Sequence, residues 1–146
     1  MKKFMRIVCL VLALSLLLVV PTYAESTVEP RGSAFFASYG TDLYKATSTS
    51  FEIWFDVDSN AAMMDVLGVR EIIVYRSADQ QSWTKMRTYD MEDYPNMVDT
   101  YAYSHTVYVT YGYATPGYYY RAYITFYAKD SRGIGERYVY TEILRM

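Results

Sequence analysis

The chain has 146 residues, with 14 basic and 16 acidic side chains, one histidine and one cysteine. The balance is acidic and no basic run occurs, which argues against a nucleic-acid partner and against an anionic membrane surface. A single cysteine excludes a disulfide framework, and no HExxH, CxxC, phosphate-loop or dinucleotide pattern supplies zinc, redox or nucleotide chemistry.

The first 24 residues read as a cleaved secretory signal. Lys2, Lys3 and Arg6 open it, Ile7 to Val20 is almost wholly apolar, and Thr22-Tyr23-Ala24 supplies small residues for cleavage after Ala24. The apolar run is shorter than the ~20 residues a membrane-spanning helix needs. Cleavage removes Cys9 and leaves 122 of the 146 residues, with 11 basic side chains against 16 acidic, a net charge of −5. The remaining chain is sized for one domain. Residues 25–32 are polar and punctuated by Pro30 and Gly32, so they read as a flexible N-terminus. A single domain is expected over residues 33–146.

Ala34 to Ala37, with Tyr39, predicts a first strand, followed by a loop through Gly40 and Lys45. Phe51, Ile53, Phe55 and Val57 alternate with Glu52, Trp54, Asp56 and Asp58, the period of a half-buried second strand. Asn60 to Gly68 changes period. Its Ala, Met and Leu content, a capping Asn60 and a terminal Gly68 predict one short helix between the second and third strands. Val69 to Ser77 returns to alternation, with Ile72 and Val74 opposite Glu71, Ile73 and Tyr75. A polar turn, Ala78 to Ser82, leads into a shorter strand over Trp83 to Tyr89. An acidic loop around Pro95 follows, and then a strand over Tyr101 to Tyr113.

The closing hairpin carries the clearest signal. After Pro116-Gly117, residues Tyr120, Ala122, Ile124, Phe126 and Ala128 alternate with Tyr119, Arg121, Tyr123, Thr125, Tyr127 and Lys129. The turn Asp130 to Gly135 then leads into GERYVYTEILR. About seven antiparallel strands with one short helix predict an all-β fold, an antiparallel β-sandwich.

Two resemblances follow from these residues. The run Ala114-Thr-Pro116-Gly-Tyr118-Tyr-Tyr120, leading into Ala122, Ile124 and Phe126, resembles the fibronectin type III (immunoglobulin-like) pattern. That resemblance implies that the Tyr120 hydroxyl closes a backbone turn while its ring packs in the core. The Met64–Gly68 stretch, Ser82-Trp83 and the Gly117–Tyr123 run, together with the signal, resemble a family of small secreted proteins of Gram-positive gut bacteria (Firmicutes). This second resemblance carries over no functional residues.

Candidate chemistry is sparse. His105, the sole histidine, lies on the side of Val107 and Val109 and reads as structural rather than catalytic. Asp90, Glu92, Asp93, Asn96 and Asp99 are weak calcium candidates, and Asp56, Asp58 and Asn60 form a second group. Neither group has the spacing of a helix–loop–helix calcium site, and no resident cofactor is expected. The turn Ser77-Ala-Asp79-Gln-Gln-Ser-Trp83 is similar to the Asp-box turns of carbohydrate-active propellers, which are structural.

Tyrosine is the unusual feature: of 18 in the chain, 12 lie between Tyr101 and Tyr140. If Val139 and Ile143 face inward, then Tyr138, Tyr140 and Glu142 face outward beside Tyr119, Arg121, Tyr123 and Tyr127. Such a ladder stabilises a sheet, and it also offers rigid, polar-tipped rings for recognition. The leading expectation is a secreted, non-enzymatic binding module for a glycan or protein at a cell surface. The ligand-binding candidates are Tyr119, Arg121, Tyr123, Tyr127, Tyr138 and Tyr140. The alternative is a secreted antagonistic or signalling effector, with an enzyme third. The chain is expected to be a monomer or a weak homodimer through open sheet edges.

Overall fold

Antiparallel pairing organises everything that the computed structural model describes, which is residues 34–146. The signal assigned to 1–24 and the tail assigned to 25–32 lie outside the described residues. Among the described residues, nine strands occur in chain order: β1 (Phe36–Lys45), β2 (Phe51–Ser59), β3 (Met64–Ser77), β4 (Thr84–Asp90), β5 (Val98–Ala102), β6 (Ser104–Tyr111), β7 (Tyr119–Asp130), β8 (Gly133–Tyr140) and β9 (Leu144–Arg145). One sheet has the order β1-β2-β6. The other runs β4-β3-β7-β8, with β5 added to β3 and β9 added to β7. The fold is an all-β antiparallel sandwich.

The alternation in the sequence explains the layering. Phe51, Ile53, Phe55 and Val57 of β2 are fully buried, as are Tyr120, Ala122, Ile124, Phe126 and Ala128 of β7. Period-two burial puts one face of each sheet into a shared core and leaves the other free. Phe55 meets Phe126 edge-on, with ring centroids 6.5 Å apart. Phe51 packs 5.0 Å from Tyr111 and 5.2 Å from Tyr120. Tyr89 of β4 adds a polar tie, its hydroxyl donating to the Thr110 carbonyl of β6 at 3.1 Å.

The helix expected over Asn60–Gly68 does not form. Met64 to Gly68 is the start of β3, pairing with β5 through Met64↔Ala102 and Gly68↔Val98, and with β7 through Leu67↔Ala128. Met64, Leu67 and Val69 are fully buried. A strand with partners on both sides therefore overrides a helix-favouring composition. Gly68 is not a helix stop. It has φ +153°, and a Cβ there would lie 2.2 Å from the Met97 carbonyl oxygen, so the glycine lets the segment carrying Met97 pass against β3. A bulge at Arg70 then switches the buried parity from Leu67 and Val69 to Ile72 and Val74.

Three smaller expectations also change. The loop expected through Gly40 and Lys45 is strand, because β1 pairs with β2 as far as Lys45↔Phe51. The strand expected over Tyr101–Tyr113 is broken at Tyr103 into β5 and β6, which serve different sheets, and Tyr101 within β5 has φ 53°. Ile143, expected inward, is exposed because β8 ends at Tyr140 and Thr141 turns the chain. The Thr141 hydroxyl accepts from the Ala122 amide at 2.9 Å.

Candidate functional site

The outer face of the β4-β3-β7-β8 sheet carries the aromatic ladder. Odd-numbered residues of β7 point away from the core, and register aligns them with neighbours of like orientation: Arg121 with Tyr75, and Tyr123 with Ile73 and Tyr140. The Tyr123 ring stands parallel to that of Tyr138, at 8° and 6.1 Å, and lies 4.8 Å from that of Tyr140. Tyr75 extends the row, 6.4 Å from Tyr140. Tyr138 and Tyr140 are 57% and 49% exposed, so their rings are open enough to meet a partner.

Arg121 sits at the centre of one end. Its guanidinium carbon lies 4.2 Å from the Trp83 ring centroid, 4.4 Å from that of Tyr140 and 6.0 Å from that of Tyr75. Three aromatic rings thus hold one cation by cation–π attraction. Trp83 reaches this position through the turn before β4. There the Asp79 carboxylate accepts from the Gln81 and Ser82 amides, both at 2.9 Å, and from the Ser77 hydroxyl at 2.9 Å. Those amides and the hydroxyl hold the Asp79 carboxyl below its ordinary range. The Trp83 indole N–H donates to the Gln80 carbonyl at 3.1 Å, which fixes the ring.

At the other end the ladder becomes polar. The Tyr138 hydroxyl donates to Glu136 at 2.6 Å, and Glu136 also pairs with Arg70, the bulged residue of β3, at 2.5 Å. The Tyr138 hydroxyl and Arg70 both favour the ionised Glu136 carboxyl and lower its pKa, while the same hydrogen bond raises that of Tyr138. A shallow cleft of about 200 Å³ opens here, floored by Thr125 and walled by Glu71, Asp90 and Glu136.

Of the six residues expected to form the face, Arg121, Tyr123, Tyr138 and Tyr140 come together. Tyr119 is half-buried at the start of β7, under the Arg145 guanidinium at 5.6 Å, and makes no ring contact with the ladder. Tyr127 is not an open ring: it is 8% exposed, between Gly68 and Glu136 in the register. Sequence alternation assigned it the right face but not its cover. Trp83 and Tyr75 were missed as members of the site. The parity of Tyr75 with Ile73 was a usable signal, whereas the place of Trp83 depends on the Asp79 turn.

The remaining candidates lie elsewhere in the fold. The calcium candidates are dispersed: the Asp90 carboxylate accepts from the Glu92 amide, and that of Asp99 accepts from the Thr100 amide within β5. Among the described residues, no three acidic, histidine or cysteine side chains are grouped closely enough to hold a metal ion. Asp58 accepts from Ser38 and Asp56 accepts from Thr106 across β2. His105 lies within hydrogen-bonding distance of the Asn96 carbonyl, 2.9 Å from Nε2, with its ring 6.1 Å from that of Phe55.

Fold and face together define an antiparallel β-sandwich that presents an aromatic row ending in a ring-stacked arginine. No family model matches the sequence, and no curated protein matches it. Among solved structures, the chain is similar to a protein from Archaeoglobus fulgidus at 8% identity and a TM-score of 0.37. That similarity covers 76% of this chain and 97% of the other.

Proposed function

We propose that the chain is a secreted, non-enzymatic binding module, related to fibronectin type III-like domains, which uses the outer face of the β4-β3-β7-β8 sheet to recognise a glycan or protein at a cell surface. The observation that carries this reading is the arrangement of Arg121 between Trp83 and Tyr140, continued by Tyr123 and Tyr138. Aromatic rings and arginine give large contact area at little cost in side-chain entropy, and they dominate recognition hot spots. Secretion is supported by the basic and apolar pattern of residues 1–24. Kinship with fibronectin type III-like domains is supported by the Tyr120 hydroxyl, which accepts from the Thr115 amide at 2.8 Å at the start of β7.

A glycan-array and cell-surface binding screen with the purified protein, with and without calcium, tests the reading. Saturable, calcium-independent binding is expected. A negative result across glycans, cell surfaces and extracted surface proteins contradicts it. Growth inhibition with no saturable partner favours the effector alternative.

A further inference from the structure

The arginine at the end of the aromatic row is incomplete. Arg121 makes no hydrogen bond or ion pair with any described residue, and its Nε is sealed from solvent with no acceptor. The residue as a whole is half-buried rather than sealed. Buried donors without acceptors are rare in folded proteins, and each calls for an explanation. Trp83 at 4.2 Å and Tyr140 at 4.4 Å occupy the guanidinium's surroundings and hold it against rings rather than carboxylates. Stacking of this kind leaves the hydrogen-bonding edge of the group free while fixing its plane. Lys85 is exposed one strand beyond Tyr75 in the register, so a second cation stands on the same side of the sheet.

Resting on the reading of this face as a binding surface, we infer that Arg121 is a carboxylate-binding subsite and that the ligand is an acidic glycan carrying carboxylated sugar rings. Two features select this class. The fixed, planar, unpaired guanidinium matches a planar carboxylate through two parallel N–H···O bonds. The half-open rings of Tyr123, Tyr138 and Tyr140 run away from it along one row, and they offer aromatic surface to the C–H faces of successive sugars. The complementarity is local: Arg121 stands among rings at one end of the row, whereas Glu71, Asp90 and Glu136 lie at the other, so the carboxylate docks at the Arg121 end.

Trp83 supplies the readout, because the chain has two tryptophans and Trp54→Phe leaves Trp83 as the sole tryptophan emitter, excited selectively over the tyrosines. This variant is titrated with oligogalacturonate, with its methyl-esterified neutral form, and with an oligoglutamate peptide of equal charge. Saturable quenching by oligogalacturonate is expected, with binding at least tenfold weaker for the ester and for the peptide. Arg121→Gln is expected to weaken oligogalacturonate binding at least tenfold. Arg121→Lys, which keeps the charge but not the fork, is expected to weaken it comparably.

Equal binding of acid and ester overturns the inference, as do unchanged affinity in Arg121→Gln, a peptide that binds as tightly as the sugar, and no binding of oligogalacturonate. If acid and ester bind equally and only Tyr123→Ala with Tyr138→Ala abolishes both, the carboxylate subsite falls while the aromatic binding face stands.

Discussion

The Tyr120 hydroxyl accepts a hydrogen bond from the Thr115 amide at 2.8 Å while its ring is fully buried beside Phe51 and Tyr111. One side chain thereby closes the corner that delivers the chain from the three-stranded sheet to β7. Tyr120→Phe keeps the ring and removes the acceptor. It is expected to cost about 1–2 kcal/mol and to lower Tm on the order of 5 °C. Urea unfolding and calorimetry check this, and a variant as stable as the parent argues against a structural role for the corner.

Gly68 holds a position no side chain fits. A Cβ would meet the Met97 carbonyl oxygen at 2.2 Å and the Val98 Cα at 2.7 Å, and φ is +153°. Both neighbours are backbone, so relief requires moving β5 away from β3. Gly68→Ala is expected to destabilise by at least about 2–3 kcal/mol. Gly112→Ala, where no atom lies within 4 Å of an added Cβ, should stay within about 0.5 kcal/mol. Denaturant midpoints for the two variants measure the contrast.

Tyr89 links the sheets and sets an alkaline limit. Burial pushes its hydroxyl up to about 12, against about 10 in an unfolded chain. The folded state therefore holds the proton more tightly. The associated stability is fully present below pH 10 and is lost as pH rises through about 12. Tyr89→Phe removes the bond to the Thr110 carbonyl and should cost about 1 kcal/mol at neutral pH. Its stability should then fall less steeply than the parent's between pH 10 and 12, as measured by urea unfolding across that range.

Asp79 is the acid counterpart. Backbone amides of Ser82 and Gln81 hold its carboxyl below the usual range. Its contribution is thus present above the ordinary carboxylate pKa, near 4, and is lost as pH falls through the lowered folded value. Asp79→Ala should loosen the turn that seats Trp83 on Arg121 and change tryptophan emission at neutral pH. The stability gap between variant and parent should narrow in acid, and a gap that widens would contradict this account.

Much of the fold was legible because burial follows a period of two. Phe51, Ile53, Phe55 and Val57, and the even-numbered residues of β7, fall in the core as their alternation requires. The helix expected over Asn60 to Gly68 fails because Ala, Met and Leu favour a helix locally, whereas two long-range strand partners of Met64 to Gly68 decide the matter. Helix and strand signals in a short apolar stretch are separable only by such contacts. The ladder's backbone, Tyr123, Tyr138 and Tyr140, was readable from parity alone. Tyr127 was not, since parity assigns a face but not what covers it. Trp83 escaped because its position is set by side chain–backbone hydrogen bonds at Asp79, which leave no periodic trace.

The account's central claim is that the aromatic row serves recognition as well as sheet stability. Its most direct measurement is a surface-binding isotherm for the parent protein beside one for Tyr123→Ala with Tyr138→Ala, each checked for folding by urea unfolding. Loss of the cross-strand pair should cost roughly 0.2–1 kcal/mol, leaving a folded variant. The account predicts saturable binding by the parent and none by the variant at the same concentrations. Equal binding by a folded variant would contradict it and reduce the ladder to a structural element of the sheet.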